Sequence, residues 1–366
     1  MSLSRIIAIL LSPILVCRLL DGYYKVANWF MFFFGIWYLY ASFSLLWTTD
    51  IEEATKEMVY YPVHFIFFLE IIVFSFFSSN PLKNIALGWS LGFLATSIVA
   101  GWELITDNHL FMTKQKSGLM QNMGNGVILL RHFCSVTFGN YNTYVTYIAF
   151  AFPFLLYANA KKFLKRFFSI LCLVLPFIFI GQNASRGGII SIMGIFLLFL
   201  FFQKKISKKT FFITISIFFI MLYVLSITDS FTVFFYRMGK TSLNDSRLEI
   251  WFAAINLWKS TFYIGSGIGS MISSMRLFST HILITHNLFL EILVQYGFII
   301  FFPIIAYLIS CLRRTLKKND IETKSIVLPA LCFLPFAAII DSGYLLNPVV
   351  FAYFASLEVF ISYENS

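Results

Sequence analysis

Five arginines and one histidine stand out in a chain that is otherwise mostly apolar: Arg131, Arg186, Arg237, Arg247, Arg276 and His286. Arginine carries a permanent charge and a fork of donors, which suits it to gripping phosphate or diphosphate. Arg186 stands in GQNASRGGII, between two apolar runs. An unpaired guanidinium at membrane depth costs about 2.5–3.5 kcal/mol even on a mild scale. Gly187 and Gly188 are expected to turn the backbone so that the side chain faces a cavity; the bland alternative is an arginine snorkelling to lipid headgroups. Arg247 stands in NDSRLEIWFAAINLWKS, where Ser246 and Glu249 read as a capping box. That puts Arg247 at a helix start, where a cation opposes the helix dipole but, beside free backbone amides, suits a bound phosphate. A salt bridge to Asp245 or Glu249 is the structural alternative. Leu248, Trp251, Ile255 and Trp258 then form an apolar stripe, fit for a membrane surface or a bundle.

His286 opens ITHNLFLEILVQYGFIIFF, at the outer end of an apolar helix. A helix N-terminus favours neutral imidazole, and neutral histidine can act as general base toward a hydroxyl; a lone histidine is more often structural, and it is the converging arginines that favour the catalytic reading. Asn287 is placed to orient an acceptor, and Glu291 lies one turn further on. The glycines of IGSGIGSM (264–271) offer a weak backbone nest for phosphate, and a flexible hinge is the stronger reading. Arg237 and Arg276, with Lys240 and Lys259, read either as an entry patch or as solvated loop charge. Near Arg131, Tyr141 and Asn142 of FGNYNTY open a further helix and could meet a sugar; residues of an interfacial aromatic belt are the bland alternative. Glu70 and Glu358 fall inside apolar runs, as helix-to-helix hydrogen bonds or functional carboxylates. The outer loops hold no HExxH, no Cys/His set and no paired aspartates, so no metal ligands are assigned.

The elements that must carry these side chains are set by composition. Of 366 residues, 59% are hydrophobic and 12% charged, and mean hydropathy is +0.82. Soluble domains are about a quarter charged, so the bilayer must be the solvent. Spanning runs fall at 27–47, 58–78, 84–105, 141–159, 164–182, 187–203, 210–228, 286–310, 325–341 and 348–363. The run 5–20, interrupted by Pro13 and Arg18, spans, tilts or lies at the interface, giving ten or eleven helices in all. It reads as a retained segment, since no small-residue cleavage site follows it. The expected fold is an all-α polytopic bundle: one membrane domain over 1–366, with a large outer loop at 229–285 that contains an amphipathic helix. The five scattered cysteines read as small buried hydrophobes.

The basic segments 161–166, 203–209 and 311–318 alternate onto one side, which the positive-inside rule makes cytoplasmic. The acidic segment 48–57 then lies outside with 106–140, 229–285 and 342–347. The net charge of +10 is gathered in these short clusters, which argues against a nucleic-acid partner. The outer arginines accordingly point to an anionic partner in the outer compartment.

Four patches in order resemble the O-antigen polymerase and ligase superfamily of bacterial envelope polysaccharide assembly. They are SLLWTTD with following acids (44–53), GNYNTY (139–144), ASRGG (184–188), and SRLEIW with GSGIGS and HNLFLEILVQYG (246–297). The resemblance implies a metal-independent, inverting, membrane-embedded glycosyltransferase of GT-C-like type, without cofactor, in the bacterial inner membrane and open to the periplasm. It implies a donor glycan on undecaprenyl pyrophosphate, with Arg186 and Arg247 holding the pyrophosphate and His286 acting on the acceptor hydroxyl. The acceptor is a second lipid-linked repeat unit in a polymerase, or the lipid A–core sugar in a ligase. The compact outer loop leans toward the polymerase, with a chain-length regulator as a further partner beside the membrane lipids. A flippase for the same glycan lipid is the reading from another class, but it should carry charge along several spans.

Overall fold

A computed structural model describes residues 3–22, 25–113, 119–122, 128–203, 246–278 and 284–363. The expected helix at 210–228, and with it Arg237 and Lys240, lies outside the described residues. The helices are α1 (Leu3–Asp21), α2 (Lys25–Ser44), α3 (Ile51–Phe76), α4 (Pro81–Thr106), α5 (Tyr141–Ala160), α6 (Arg166–Gln182) and α7 (Arg186–Phe202). They continue with α8 (Ser246–Ser260), α9 (Met271–Met275), α10 (Leu288–Lys317), α11 (Ile321–Ala337) and α12 (Pro348–Ser362). Each described apolar run of the sequence thus became a helix, because in lipid every backbone amide must be satisfied within its own segment. By length and composition α3, α4 and α10 can cross a membrane, while α6, α7 and α12 are shorter apolar helices. The protein is an all-α polytopic membrane protein. Its one departure, among the described residues, is a small antiparallel hairpin of β1 (Leu119–Asn122) and β2 (Ile128–Arg131) in the loop after α4.

The chain divides into two compact units. The first comprises Met1–Leu82, Asn244–Arg314 and Ser342–Ser366. In it α2 lies antiparallel to α3 through an aromatic seam, with Phe34 stacked on Phe65 at 4.2 Å and Phe30 against Phe68 at 4.5 Å. Helix α1 is continuous through Pro13 and runs parallel to α3. Its Arg5 lies over the Tyr60 ring at 3.9 Å and donates to His64 Nε2, while Arg18 lies over Phe77 at 4.5 Å. Arg5 also donates to the carbonyl of Leu346, at 2.7 Å, so α1 begins at the same end as the 342–347 turn. Asp50 caps α3 by accepting from Glu53 N, and Glu52 and Glu53 both pair with Lys56. The acidic 48–57 segment is therefore also a helix start that suits its dipole. Glu358 is a helix-to-helix tie: it takes a two-pronged ion pair from Arg314.

The second unit comprises Lys83–Leu243 and Thr315–Asp341. Here α7 packs closely on its neighbours because it carries glycine. A Cβ on Gly188 would come within 2.5 Å of Val145 and 2.8 Å of Ile180, and one on Gly194 would overlap the Phe333 ring. Such small residues are what lets membrane helices approach. Asp320 caps α11, accepting from Glu322 N and Thr323 N. Its burial opposes ionisation, but these bonds and that from Thr323 Oγ1 outweigh it and hold the carboxyl below its ordinary value.

Candidate functional site

In the first unit the patches SLLWTTD, GSGIGS and HNLFLEILVQYG come together. Residues 265–270 form a buried strap. Gly265, Gly267 and Gly269 have φ of +94°, +94° and +69°, a region closed to most side chains. Added Cβ atoms there would meet Gln295 O at 2.5 Å, Ser44 O at 2.9 Å and Ala54 N at 2.3 Å. The strap's own amides are engaged: Ser266 N donates to Val294 O, Gly267 N to Gln295 O, Ile268 N to Ser44 Oγ and Gly269 N to Glu57 Oε2. The SLLWTTD turn holds it from the other side, with Trp47 Nε1 donating to Gly265 O and Thr48 Oγ1 to Ile268 O. The glycine segment is thus a packed strap. The hinge expected from the sequence is not what forms, and the amides that would line a phosphate nest already have protein partners. Gly297 breaks α10 at φ +57°, which brings its backbone against Tyr263 and Ile264.

His286 stands directly before α10, with φ +46°. A non-glycine residue in this region costs about 1–3 kcal/mol and persists only where its surroundings over-determine it. Two fastenings do so here. Asn287 caps α10, its Oδ1 accepting from Phe289 N at 3.0 Å and Leu290 N at 3.3 Å. On the other side, Trp251 Nε1 donates to the carbonyl of Thr285 at 2.9 Å. Trp251 belongs to α8, the helix whose first turn carries half-buried Arg247. The buried face of α8 is Ile250, Ala253, Ala254 and Leu257, packed with Met271, Met275 and Val294. That face is rotated from the expected stripe, because the two alanines permit close packing and the tryptophans sit at its edge where their N–H groups reach carbonyls. Trp258 Nε1 accordingly donates to Tyr263 O. Arg247 and His286 are therefore carried by elements that share one core. Glu291, one turn into α10, accepts from Gly343 N and Tyr344 N at 2.7 and 2.8 Å and fixes the 342–347 turn. Arg276 and Lys259 are exposed.

In the second unit Arg186 is the first residue of α7, and Ser185 caps that helix by accepting from Gly188 N. The turn between α6 and α7 is made by Ala184, at φ +47°, while Gly187 and Gly188 lie within the helix. The glycines assigned to the turn are packing residues instead. Asn183, fully buried, pins this turn: its Oδ1 accepts from Cys134 N at 2.9 Å and its Nδ2 donates to Cys134 O at 3.0 Å. The same loop is held by Glu103, whose Oε2 accepts from Ser135 N at 2.7 Å and from Val136 N at 2.8 Å. These bonds stabilise Val136 at φ +57°, unusual for a β-branched residue. Burial, reinforced by Glu103, pushes the Cys134 thiol well above its ordinary value. Asn142 follows Asn140, which caps α5, and α5 packs on α7 where Gly188 meets Val145. Arg131 ends β2, in register with Leu119.

Glu103, Asn183 and Trp251 were missed as supporting residues. The legible signal was a carboxylate at the end of an apolar run, an Asn three residues before Arg186, and an indole one turn after Arg247.

Two comparisons bear on this geometry. Residues 170–305 match the O-antigen ligase family, a stretch that includes Arg186, Arg247 and His286. Over 331 residues the chain is 22% identical to the teichuronic acid biosynthesis protein TuaE of Bacillus subtilis (strain 168), with 83% of this chain covered. The alignment spans 66% of that relative's length. With the motif order and the membrane fold, these matches support the resemblance of the chain to the O-antigen polymerase and ligase superfamily of polysaccharide-assembly proteins.

Proposed function

We propose that the protein is a polymerase that joins lipid-linked repeat units of a surface polysaccharide at the periplasmic face of the bacterial inner membrane. The observation that carries this reading is His286: a strained residue fastened on one side by the Asn287 cap and on the other by a tryptophan from the Arg247 helix. Strain retained in this way is what a preorganised reacting group requires. In the proposed reaction His286 takes the proton of the acceptor hydroxyl, whose oxygen attacks the anomeric carbon. The bond from that carbon to the diphosphate oxygen breaks with inversion, and undecaprenyl pyrophosphate leaves with the electron pair. Arg186 and Arg247 bind the diphosphate and stabilise its growing charge, which needs no metal. Asn287 acts by holding His286. Arg131, Arg237, Arg276 and Asn142 are assigned to the approach of the anionic donor and its glycan.

A ligase, transferring the finished glycan to lipid A–core, is the second reading, favoured by the description of the family that matches 170–305. Glycan profiles of a deletion strain separate the two. Core bearing one repeat unit means a polymerase, whereas bare core with polymer held on the carrier lipid means a ligase. A deletion strain with a normal profile sinks both.

A further inference from the structure

In the first unit, a cavity of about 450 Å³ is bounded by Trp29 and Phe30 of α2, Pro303, Tyr307 and Arg314 of α10, and Glu358 of α12. Its walls are aromatic and aliphatic except for Ser310 and the ion pair. The two charged partners are not equally available. Glu358 is 2% exposed and already accepts from Arg314 Nη1 at 2.6 Å, Arg314 Nη2 at 2.7 Å, Tyr307 OH at 3.1 Å and Ser362 Oγ at 2.6 Å. Its acceptor capacity is filled. Arg314 is 38% exposed, and a guanidinium has five N–H donors. Glu358 takes two of them and Cys311 Sγ a third at 3.5 Å. Nε–H is buried with no partner among the described residues. The second Nη1 hydrogen is also uncommitted among these residues, so the charge that meets the cavity is a cation with a terminal donor to spare.

Phe30 and Tyr307 also line a second cavity, apolar throughout, with Phe33, Phe34, Phe68 and Phe351 in its wall. An alkyl seat thus adjoins the guanidinium. Arg314 belongs to the basic segment 311–318, which the charge bias places at the cytoplasmic headgroup level. A phospholipid of that leaflet offers both an anionic oxygen to arginine and a hydrocarbon chain to phenylalanine.

We propose that this cavity binds one glycerophospholipid of the cytoplasmic leaflet, with its phosphate on Arg314 and one acyl chain along Phe30 and Tyr307. The lipid would bridge α2, α10 and α12. The proposal is independent of the polymerase reading, since it uses none of the residues assigned to transfer.

The test is native mass spectrometry of the full-length protein in detergent, titrated with phosphatidylglycerol or with diacylglycerol as the phosphate-free probe. Ser310 is exposed and lines the cavity, so Ser310→Phe fills it without touching the ion pair; Arg314→Ala removes the cation. Wild type is expected to retain one phosphatidylglycerol, bound at least about tenfold tighter than diacylglycerol, because a charge-assisted hydrogen bond is lost with the phosphate. Ser310→Phe, with an unchanged melting temperature, is expected to lose that lipid. Equal retention by wild type and Ser310→Phe, or no preference for the phosphate, would overturn the proposal. So would occupancy by undecaprenyl phosphate that phosphatidylglycerol cannot displace.

Discussion

At the scale of single residues, most of what distinguishes the site is a matter of which polar atom meets which backbone group. Trp251→Phe keeps the aromatic volume but leaves the Thr285 carbonyl without its indole donor. A hydrogen bond of this kind contributes about 1–3 kcal/mol when its loss strands a buried group. The expected outcome is polymer output reduced about tenfold or more at normal protein level, read on a glycan gel. Unchanged output would show that His286 does not depend on that bond. Arg186→Lys retains charge but loses the fork, and about 100-fold loss of transfer is expected; a lysine variant of full activity would reduce Arg186 to a headgroup anchor. Asn183→Ala strands both the N–H and the carbonyl of Cys134. It should cost about 2–4 kcal/mol and, by freeing that loop, expose Cys134 to a maleimide, read in a background where the other four cysteines are replaced and Cys134 beside Asn183 stays unlabelled.

At the scale of elements, Gly297→Ala is the sharpest probe of the strap. The new Cβ would stand 2.2 Å from Tyr263 O at a φ of +57°, so the break in α10 and the strap cannot both persist. A loss of more than about 2 kcal/mol is expected, visible as a lower melting temperature in detergent, whereas Gly35→Ala, with open space around it, serves as the control. The strap also shows what could be read from sequence and what could not. The runs at 141–159 and 164–182 became Tyr141–Ala160 and Arg166–Gln182, because a bilayer writes helix length directly into hydropathy. The SRLEIW helix start was equally legible, since its signature is local. The glycines of 264–271 were not: whether a glycine bends, hinges or admits another backbone depends on a neighbour over 20 residues away in sequence, as Gly265 does on Gln295 and Gly297. The β1–β2 hairpin escaped for a related reason, being too short to show a period against its loop. Of the two readings of the α8 stripe, the one against the bundle is not what forms: Ile250, Ala253, Ala254 and Leu257 pack inside, and the tryptophans took edge positions for their N–H groups.

At the scale of the whole molecule, the parallel course of α1 and α3 bears on a question that sequence left open, and makes it testable. The start of α1 and the 48–50 turn belong at one membrane face, so cysteines introduced before α1 and at Thr49 should both react with an impermeant thiol reagent applied from the periplasm. Cysteine at Lys162 should not; the opposite pattern would reverse the topology. The account as a whole stands on His286 as the group that activates the acceptor. The most direct measurement uses purified protein in liposomes supplied with the proposed substrate, a lipid-linked repeat unit, following polymer length and free undecaprenyl pyrophosphate together. Wild type is predicted to build a ladder and release one carrier per linkage, while His286→Ala, with the same melting temperature, does neither to within about 1% of the wild-type rate. A His286→Ala protein that polymerises within a few-fold of wild type would contradict the assignment.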